Sequence, residues 1–99
     1  MIDREFLRGF VKLYALWRST KGGVYGAQIL EEMQALGFRL SPGTLYPTLH
    51  KLLREQDVAV TSRVINGRMR KVYRAPPKGR RELDEIRERL KVFVAKVFK

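Results

Sequence analysis

The sequence predicts a mainly α-helical (α+β) fold with three helices, a two-stranded β-hairpin and a long C-terminal helix. Apolar residues recur at helical spacing in four stretches of the chain. Between the third and fourth stretches, Asn66-Gly67 is the strongest short hairpin signal, since both residues tolerate the positive φ of a type I′ turn. Ninety-nine residues without cysteine fit one small domain that is stabilised by packing rather than by disulfides.

The first predicted helix, Asp3 to Arg18, is apolar over an unusually wide arc. One face carries large apolar side chains, namely Phe6, Phe10, Leu13, Tyr14 and Trp17, with Leu7 beside them. Val11 and Leu16 fall outside this face, so the helix needs cover on two sides. We expect Tyr14 and Trp17 to pack in the core; the alternative is that they line a groove between two subunits.

Val24 to Leu36 is predicted as the second helix, which begins after the break at Gly22-Gly23 and ends at Gly37. Its inward positions are Ile29, Met33 and Leu36, and its outward positions include Glu31 and Glu32. Gly26 inside a helix costs about 1 kcal/mol relative to alanine. Such a glycine predicts a close approach by another backbone, here that of the helix containing Leu45.

The third helix spans Ser41 to Arg54, and two starting points are open. Ser41 can cap a helix whose first residue is Pro42, although Pro47 then removes the bond to the Gly43 carbonyl. Alternatively, regular helix begins later with Thr44 as the cap. The buried stripe is Leu45, Leu49 and Leu52, and the other side carries Pro47, His50, Lys51 and Arg54, flanked by Thr44 and Tyr46. This pattern suits a DNA major groove, or else an ordinary amphipathic surface helix.

The predicted hairpin consists of Val58 to Ile65 and Arg68 to Ala75. Period two places Arg68, Arg70, Val72 and Arg74 on one face of the second strand, and Met69, Lys71, Tyr73 and Ala75 on the other. Tyr73 should pack on the helices. Two helices, a third helix with a basic end and a basic hairpin follow each other in the order of a winged helix-turn-helix domain.

Positive charge is concentrated in the second half of the chain. Residues 1–50 hold six Lys/Arg against four Asp/Glu, a net charge of +2, whereas residues 51–99 hold fifteen against six, a net charge of +9. Residues 61–81 contain eight basic side chains and no acid. A field of this density attracts a polyanion, and nucleic acid is favoured over an acidic membrane surface.

The last helix, from Pro77 to Lys99, carries an apolar stripe that resembles the seam of a coiled contact. Leu83, Ile86, Leu90, Phe93 and Val97 step by three and four residues. The alternative is that the stripe packs only on the chain's own first helix. A small domain has little spare surface to cover it, and an exposed stripe invites association. We therefore expect residues 1–76 to form the DNA-binding domain and 77–99 a dimerisation helix, with Phe6 and Phe10 also in the homodimer interface.

Three segments resemble the PadR-like family of transcriptional regulators. They are Tyr25-Gly26 with Ile29, Ser41-Pro42-Gly43-Thr44-Leu45-Tyr46-Pro47, and Arg70-Lys71-Val72-Tyr73-Arg74 followed by Pro77 and Gly79. The departures are Gln56-Asp57 in place of a helix-ending glycine, Val72 in place of a tyrosine, and Ala75-Pro76 in place of Leu-Thr. The resemblance implies winged-helix DNA binding, dimerisation through C-terminal helices, and DNA affinity that a planar ligand lowers.

These patterns assign the following roles. Base contacts are expected from Gly43, Thr44, Tyr46, Pro47 and His50, and phosphate contacts from Ser41, Lys51, Arg54, Arg68, Arg70 and Lys71. The dimer interface would contain Phe6, Phe10, Leu83, Ile86, Leu90, Phe93 and Val97, and a ligand pocket between subunits would contain Trp17, Phe93 and Phe98. The expected function is a homodimeric, sequence-specific regulator of transcription, a repressor that binds double-stranded DNA at an inverted repeat. The alternatives are a non-sequence-specific architectural DNA- or RNA-binding winged helix, and a regulator switched by a small aromatic ligand.

Other classes of function lack support in the sequence. His50 is the single histidine and has no cysteine neighbours, so we expect no metal or other cofactor. Gly22-Gly23 lacks the spacing and lysine of a phosphate-binding loop, and serine and threonine residues lack a partnered base, so we expect no enzyme. No apolar run reaches membrane-spanning length, and the start lacks a signal-peptide pattern, which predicts a cytoplasmic protein without a membrane partner.

Overall fold

The computed structural model describes residues 2–99 and leaves Met1 aside. In chain order the elements are α1 (Arg4–Ser19), β1 (Val24–Tyr25), α2 (Gly26–Ala35), α3 (Pro42–Arg54), β2 (Ala59–Ile65), β3 (Arg68–Arg74) and α4 (Pro77–Val97). The strands form one antiparallel sheet in the order β1-β3-β2. The predicted mainly α fold with a β wing is confirmed, but the sheet has a third strand that was predicted as helix.

The helix α1 is covered on two sides, as its wide apolar arc predicted. Leu7, Val11, Ala15 and Leu16 are its buried apolar residues, so the two residues outside the predicted stripe, Val11 and Leu16, lie in the core. Phe6 is 64% exposed, and Phe10, Leu13, Tyr14 and Trp17 lie partly buried at the edge of the core. The reason is that α1 lies against both α3 and α4, where smaller side chains allow helices to pack closely. Asp3 caps α1, because its Oδ1 accepts a 2.8 Å bond from the Phe6 amide.

Val24 and Tyr25 form β1 and pair with Tyr73 and Val72 of β3, so α2 begins at Gly26, two residues later than predicted. Ile29 and Met33 are buried as expected. The inward prediction for Leu36 was wrong, because Leu36 lies just beyond the helix and is 63% exposed.

The chain leaves both α2 and α3 through residues in the left-handed conformation. Gly37 has a φ of 95° at the end of α2, as predicted. After α3, Gln56 has a φ of 62°. A side chain in this conformation costs roughly 1–2 kcal/mol, so the packing around the end of α3 must offset this strain.

The helix α3 begins at Pro42 and continues through Pro47, which settles the open choice of its first residue. The Ser41 carbonyl accepts bonds from the amides of Thr44 (3.0 Å) and Leu45 (3.1 Å), while the Ser41 side chain makes no capping bond. Leu45, Leu49 and Leu52 are buried, as their spacing predicted.

The hairpin turn is the predicted type, with φ of 51° at Asn66 and 78° at Gly67. Ile65 pairs with Arg68 at the turn and Ala59 with Arg74 at the other end. Tyr73 packs into the core as expected. Val72, on the opposite face, is also buried, because Gly23 lies against it.

The helix α4 packs most closely on the domain near its start. Gly79 lies so close to the Asp57 carbonyl that a Cβ there would collide with it. Lys78 donates to the Glu55 carbonyl (2.6 Å) and pairs with the buried Asp57 (2.8 Å). Leu83 is the last fully buried apolar residue of α4. Over residues 2–99, no helix combines the length and apolarity that a membrane span requires.

Candidate nucleic-acid interface

One continuous side of α3 is open to solvent. The exposed residues at its start are Pro42, Gly43, Tyr46 and Pro47, and those at its end are His50, Lys51 and Arg54; Ser41 before it is exposed as well. Thr44 is the exception among the predicted contacts, since it is only 8% exposed and its carbonyl accepts a 3.2 Å bond from the Thr48 hydroxyl. The exposed side thus begins with short and aromatic side chains and ends with basic ones.

Tyr46 lies across the first residue of α2. A Cβ on Gly26 would stand 2.6 Å from Tyr46 Cε1 and 2.7 Å from its hydroxyl oxygen, so only glycine leaves room for this ring. The approach of α3 to Gly26 was expected, but the Tyr46 side chain makes it rather than the α3 backbone. Tyr46 remains 36% exposed, so part of the residue is open to solvent. Burial, followed by the neighbouring Tyr46, raises the pKa of Tyr73 beneath it.

The wing (β2, β3 and their turn) presents its basic residues on both faces. Arg68 and Lys71 are exposed, whereas Arg70 is half-buried with its guanidinium carbon 4.5 Å from the centre of the Tyr25 ring. Sequence reasoning did not single out Arg63, which lies opposite Arg70 in the sheet. The Asn66-Gly67 turn fixes which residues of the two strands face each other, so this turn was the signal that could have placed Arg63 opposite Arg70.

The basic side chains of α3 and the wing form no ion pair with a carboxylate of the described residues. The ion pairs between described residues are Lys12–Glu82 (3.5 Å), Arg18–Glu32 (3.0 Å) and Lys78–Asp57 (2.8 Å). All three lie outside α3 and the wing. The positive field expected from the sequence therefore meets solvent at the wing and at the end of α3, where a polyanion could approach.

Side-chain hydrogen bonds join α1 to α2 away from this surface. Glu32 accepts bonds from the Tyr14 hydroxyl (2.6 Å) and from Arg18 Nε (3.0 Å), although the sequence placed Glu32 outward. Burial and the bond to Glu32 raise the pKa of Tyr14 to about 12. Burial alone would raise the pKa of Glu32, but the bonds from Tyr14 and Arg18 outweigh it and lower that pKa below its usual range.

The outer part of α4 bears an apolar surface that the rest of the chain leaves open. Phe93 is 62% and Phe98 80% exposed, and Leu90 and Val97 are also exposed. With Phe6 and Phe10 of α1, these side chains line a groove of about 570 Å³. The charged residues from position 89 to the end of the chain are all basic, namely Arg89, Lys91, Lys96 and Lys99.

The residues expected to bind a planar ligand lie in two separate grooves of the chain. Trp17 lines a groove of about 320 Å³ with Phe10, Phe38 and Leu83. Phe93 and Phe98 line the groove on the outer part of α4. Within residues 2–99, no three His, Asp or Glu side chains come together in a way that could hold a metal ion.

Comparison with known proteins agrees with this architecture. Residues 13–85 match the profile of the transcriptional regulator PadR-like family. The transcriptional regulator Rv3488 of Mycobacterium tuberculosis is 44% identical over 94 residues, which cover 95% of this chain and 88% of the relative.

Solved structures show the same fold. A PadR-like transcriptional regulator of Bacillus cereus superposes with a TM-score of 0.85 at 25% identity, covering 94% of this chain and 92% of the other. A transcriptional regulator of Streptococcus gives a TM-score of 0.83 at 24% identity, over 92% and 91% of the two chains. These relatives are regulators rather than enzymes. The chain itself belongs to the PadR-like family of transcriptional regulators.

Proposed function

We propose that this protein is a transcriptional repressor that binds double-stranded DNA sequence-specifically as a homodimer. The observation that carries the proposal is the exposed side of α3, which begins with Gly43 and Tyr46 and ends with Lys51 and Arg54. In winged helix-turn-helix proteins the second helix of the motif enters the major groove. Family membership supports this use of α3.

Roles on this surface follow from side-chain chemistry. Tyr46, Pro47 and His50, with the backbone of Gly43, would meet base edges, and Thr44 would contribute only its small open edge. Ser41, Lys51 and Arg54, with Arg68, Arg70 and Lys71 of the wing, would hold phosphates. Base edges carry sequence information and phosphates do not, so the two groups of residues should respond differently to mutation.

The homodimer is supported by the unburied seam on α4. Leu90, Phe93 and Val97 are exposed in the single chain, while Leu83 and Ile86 pack inward at the start of the same stripe. A second copy of the chain would cover the outer residues together with Phe6 and Phe10. A pocket for a planar ligand would then need this pairing to bring Trp17, Phe93 and Phe98 near each other.

Selection of bound sequences from random duplex DNA, with RNA as competitor, tests the proposal. We expect one inverted-repeat sequence to be enriched. Tyr46→Ala should then abolish the preference for that sequence, a loss of about 1–3 kcal/mol in discrimination, yet leave weak binding to any duplex. Arg68→Ala should weaken selected and random DNA alike and reduce the salt slope by about one phosphate contact.

Three outcomes would contradict these assignments. Enrichment of no sequence would favour an architectural protein that binds through charge. Preferential retention of the RNA would favour an RNA-binding winged helix. A changed sequence preference in Arg68→Ala, but not in Tyr46→Ala, would show that the roles of α3 and the wing are assigned wrongly.

A further inference from the structure

Tyr25 and Arg70 meet on the face of the sheet that points away from the helical core. Tyr25 pairs with Val72 across β1 and β3, and Arg70 lies two residues before Val72 on the same face. The Arg70 guanidinium carbon stands 4.5 Å from the centre of the Tyr25 ring, which is cation–π distance. Stacking on a ring restricts the guanidinium before any ligand arrives.

Two further arginines share this face. Arg63 lies directly opposite Arg70 in the pairing of β2 with β3, an arrangement of like charges that destabilises a sheet. Arg74 lies flat against Gly23, since a Cβ there would stand 3.1 Å from the Arg74 guanidinium carbon. The ion pairs between described residues include none of these arginines.

Arg70 also holds an unused hydrogen-bond donor. Its Nε is buried and has no partner among the described residues. A stacked guanidinium loses less conformational freedom on binding than a free one, and its planar fork matches two oxygens of a phosphate. The strain of adjacent like charges is relieved when an anion binds between them.

We infer that Tyr25 is a positioning residue of the DNA-binding surface. Its ring holds Arg70 in place for a phosphodiester group of duplex DNA, and Arg63 and Arg74 flank the same backbone strand. The inference rests on the proposed DNA-binding function and adds three residues, Tyr25, Arg63 and Arg74, to those expected from the sequence. Lys71, on the other face of β3, would contact a different phosphate.

Fluorescence anisotropy with a labelled duplex of random sequence, measured at several salt concentrations, tests the inference. Tyr25→Leu should weaken binding roughly three- to tenfold and reduce the slope of log K against log salt by about one. Tyr25→Phe keeps the ring and should bind as the unmodified protein does. In an Arg70→Ala background, Tyr25→Leu should have no further effect, because the group that it positions is gone.

Arg63→Ala tests the same surface without risk to the fold, because this side chain is exposed. It should lower the salt slope by about one, as Arg74→Ala should, whereas Arg8→Ala on α1 is the matched control and should not. Equal behaviour of Arg63→Ala, Arg74→Ala and Arg8→Ala would overturn the inference, as would full binding by a folded Tyr25→Leu protein. If the unmodified protein bound no duplex at all, the proposed function would fail together with it.

Discussion

Gly79 is the residue at which α4 touches the rest of the domain most closely. Gly79→Ala would drive a methyl group into the Asp57 carbonyl, so the start of α4 must shift. We expect a loss of about 2–3 kcal/mol in the free energy of unfolding, measured by chemical denaturation. Gly9→Ala is the matched control, since a Cβ on Gly9 in α1 meets no atom within 4 Å. It should stabilise the protein by up to about 1 kcal/mol, and equal stabilities of the two variants would show that α4 is not seated on Asp57.

The bond from Tyr14 to Glu32 predicts a stability change that depends on pH. Tyr14→Phe removes this bond and should lower the free energy of unfolding by about 1 kcal/mol at neutral pH, since both partners are partly solvated. A carboxyl group with a lowered folded-state pKa stabilises the protein above its unfolded pKa and stops doing so as pH falls through the folded value. The difference between the unmodified protein and Tyr14→Phe should therefore shrink as pH falls through the acid range.

The raised pKa of Tyr14 makes stability depend on pH in the opposite direction, and it does so in a different pH range. A hydroxyl whose pKa rises to about 12 on folding contributes stability below the unfolded value, and that contribution disappears only at strongly alkaline pH. Tyr14 therefore stays neutral and donates its proton throughout the range in which Glu32 titrates. Thermal unfolding of both proteins at several pH values measures the difference. A difference that stays constant as pH falls through the range of carboxyl titration would show that Tyr14 does not hold Glu32.

At the scale of elements, the start of α2 sets the position of the aromatic residue on α3. Gly26→Ala would push the Tyr46 ring aside, a movement that this partly exposed side chain can make. We expect weaker binding to the selected operator with little change on random duplex DNA. In a Tyr46→Ala background the same substitution should have no effect on binding, which equilibrium titration of both duplexes would show. An equal loss in both backgrounds would mean that Gly26 acts through the fold of α2 instead.

Periodicity was sufficient to predict elements whose apolar pattern is regular. It failed where contacts between residues distant in sequence determine the secondary structure or the buried face. The stripe of α3, the Asn66-Gly67 turn and the start of α4 near Pro77 follow from local sequence. Val24-Tyr25 is too short to show a strand pattern and becomes β1 only because β3 lies beside it. The sequence predicted two covered sides of α1, but it does not say which of them meets α3 and is buried more deeply.

For the candidate surface, too, local periodicity predicted which residues are exposed but not which residues contact each other. Exposure of Tyr46, His50 and Lys51 follows from the helical period of α3 alone. The ring of Tyr46 on Gly26 and the guanidinium of Arg70 on Tyr25 depend on tertiary packing between residues far apart in sequence. Such pairs cannot be read from spacing within one element.

At the scale of the whole molecule, α4 predicts how two copies assemble. Leu90→Asp places a charge in the exposed seam and should make the protein monomeric at micromolar concentration, as sedimentation would show. Val64→Asp is the matched control, because Val64 is an exposed apolar residue on β2 of the wing, away from α4. It should leave the dimer intact. A dimeric Leu90→Asp protein would place the interface elsewhere.

The proposed pairing also predicts the operator. A two-fold axis through α4 would relate two copies of α3, which should then enter successive major grooves about 34–36 Å, or roughly 10 base pairs, apart. Leu90→Asp should therefore lose much more affinity on the full inverted repeat than on an isolated half-site. Equal affinities of Leu90→Asp and the unmodified protein for the full repeat would contradict this geometry.

The basic residues on the outer part of α4 have a consequence for assembly. Arg89, Lys91, Lys96 and Lys99 follow one another without an acidic residue between them, and the whole chain has a net charge of +11, so two approaching copies would repel each other at long range. Added salt screens this repulsion and would favour the proposed pairing, while the same salt weakens attachment to phosphates. Free subunits should therefore pair best at the salt concentrations at which they bind DNA least. At low ionic strength the DNA would neutralise the positive charge, and we expect a second subunit to be recruited to a duplex that already carries the first.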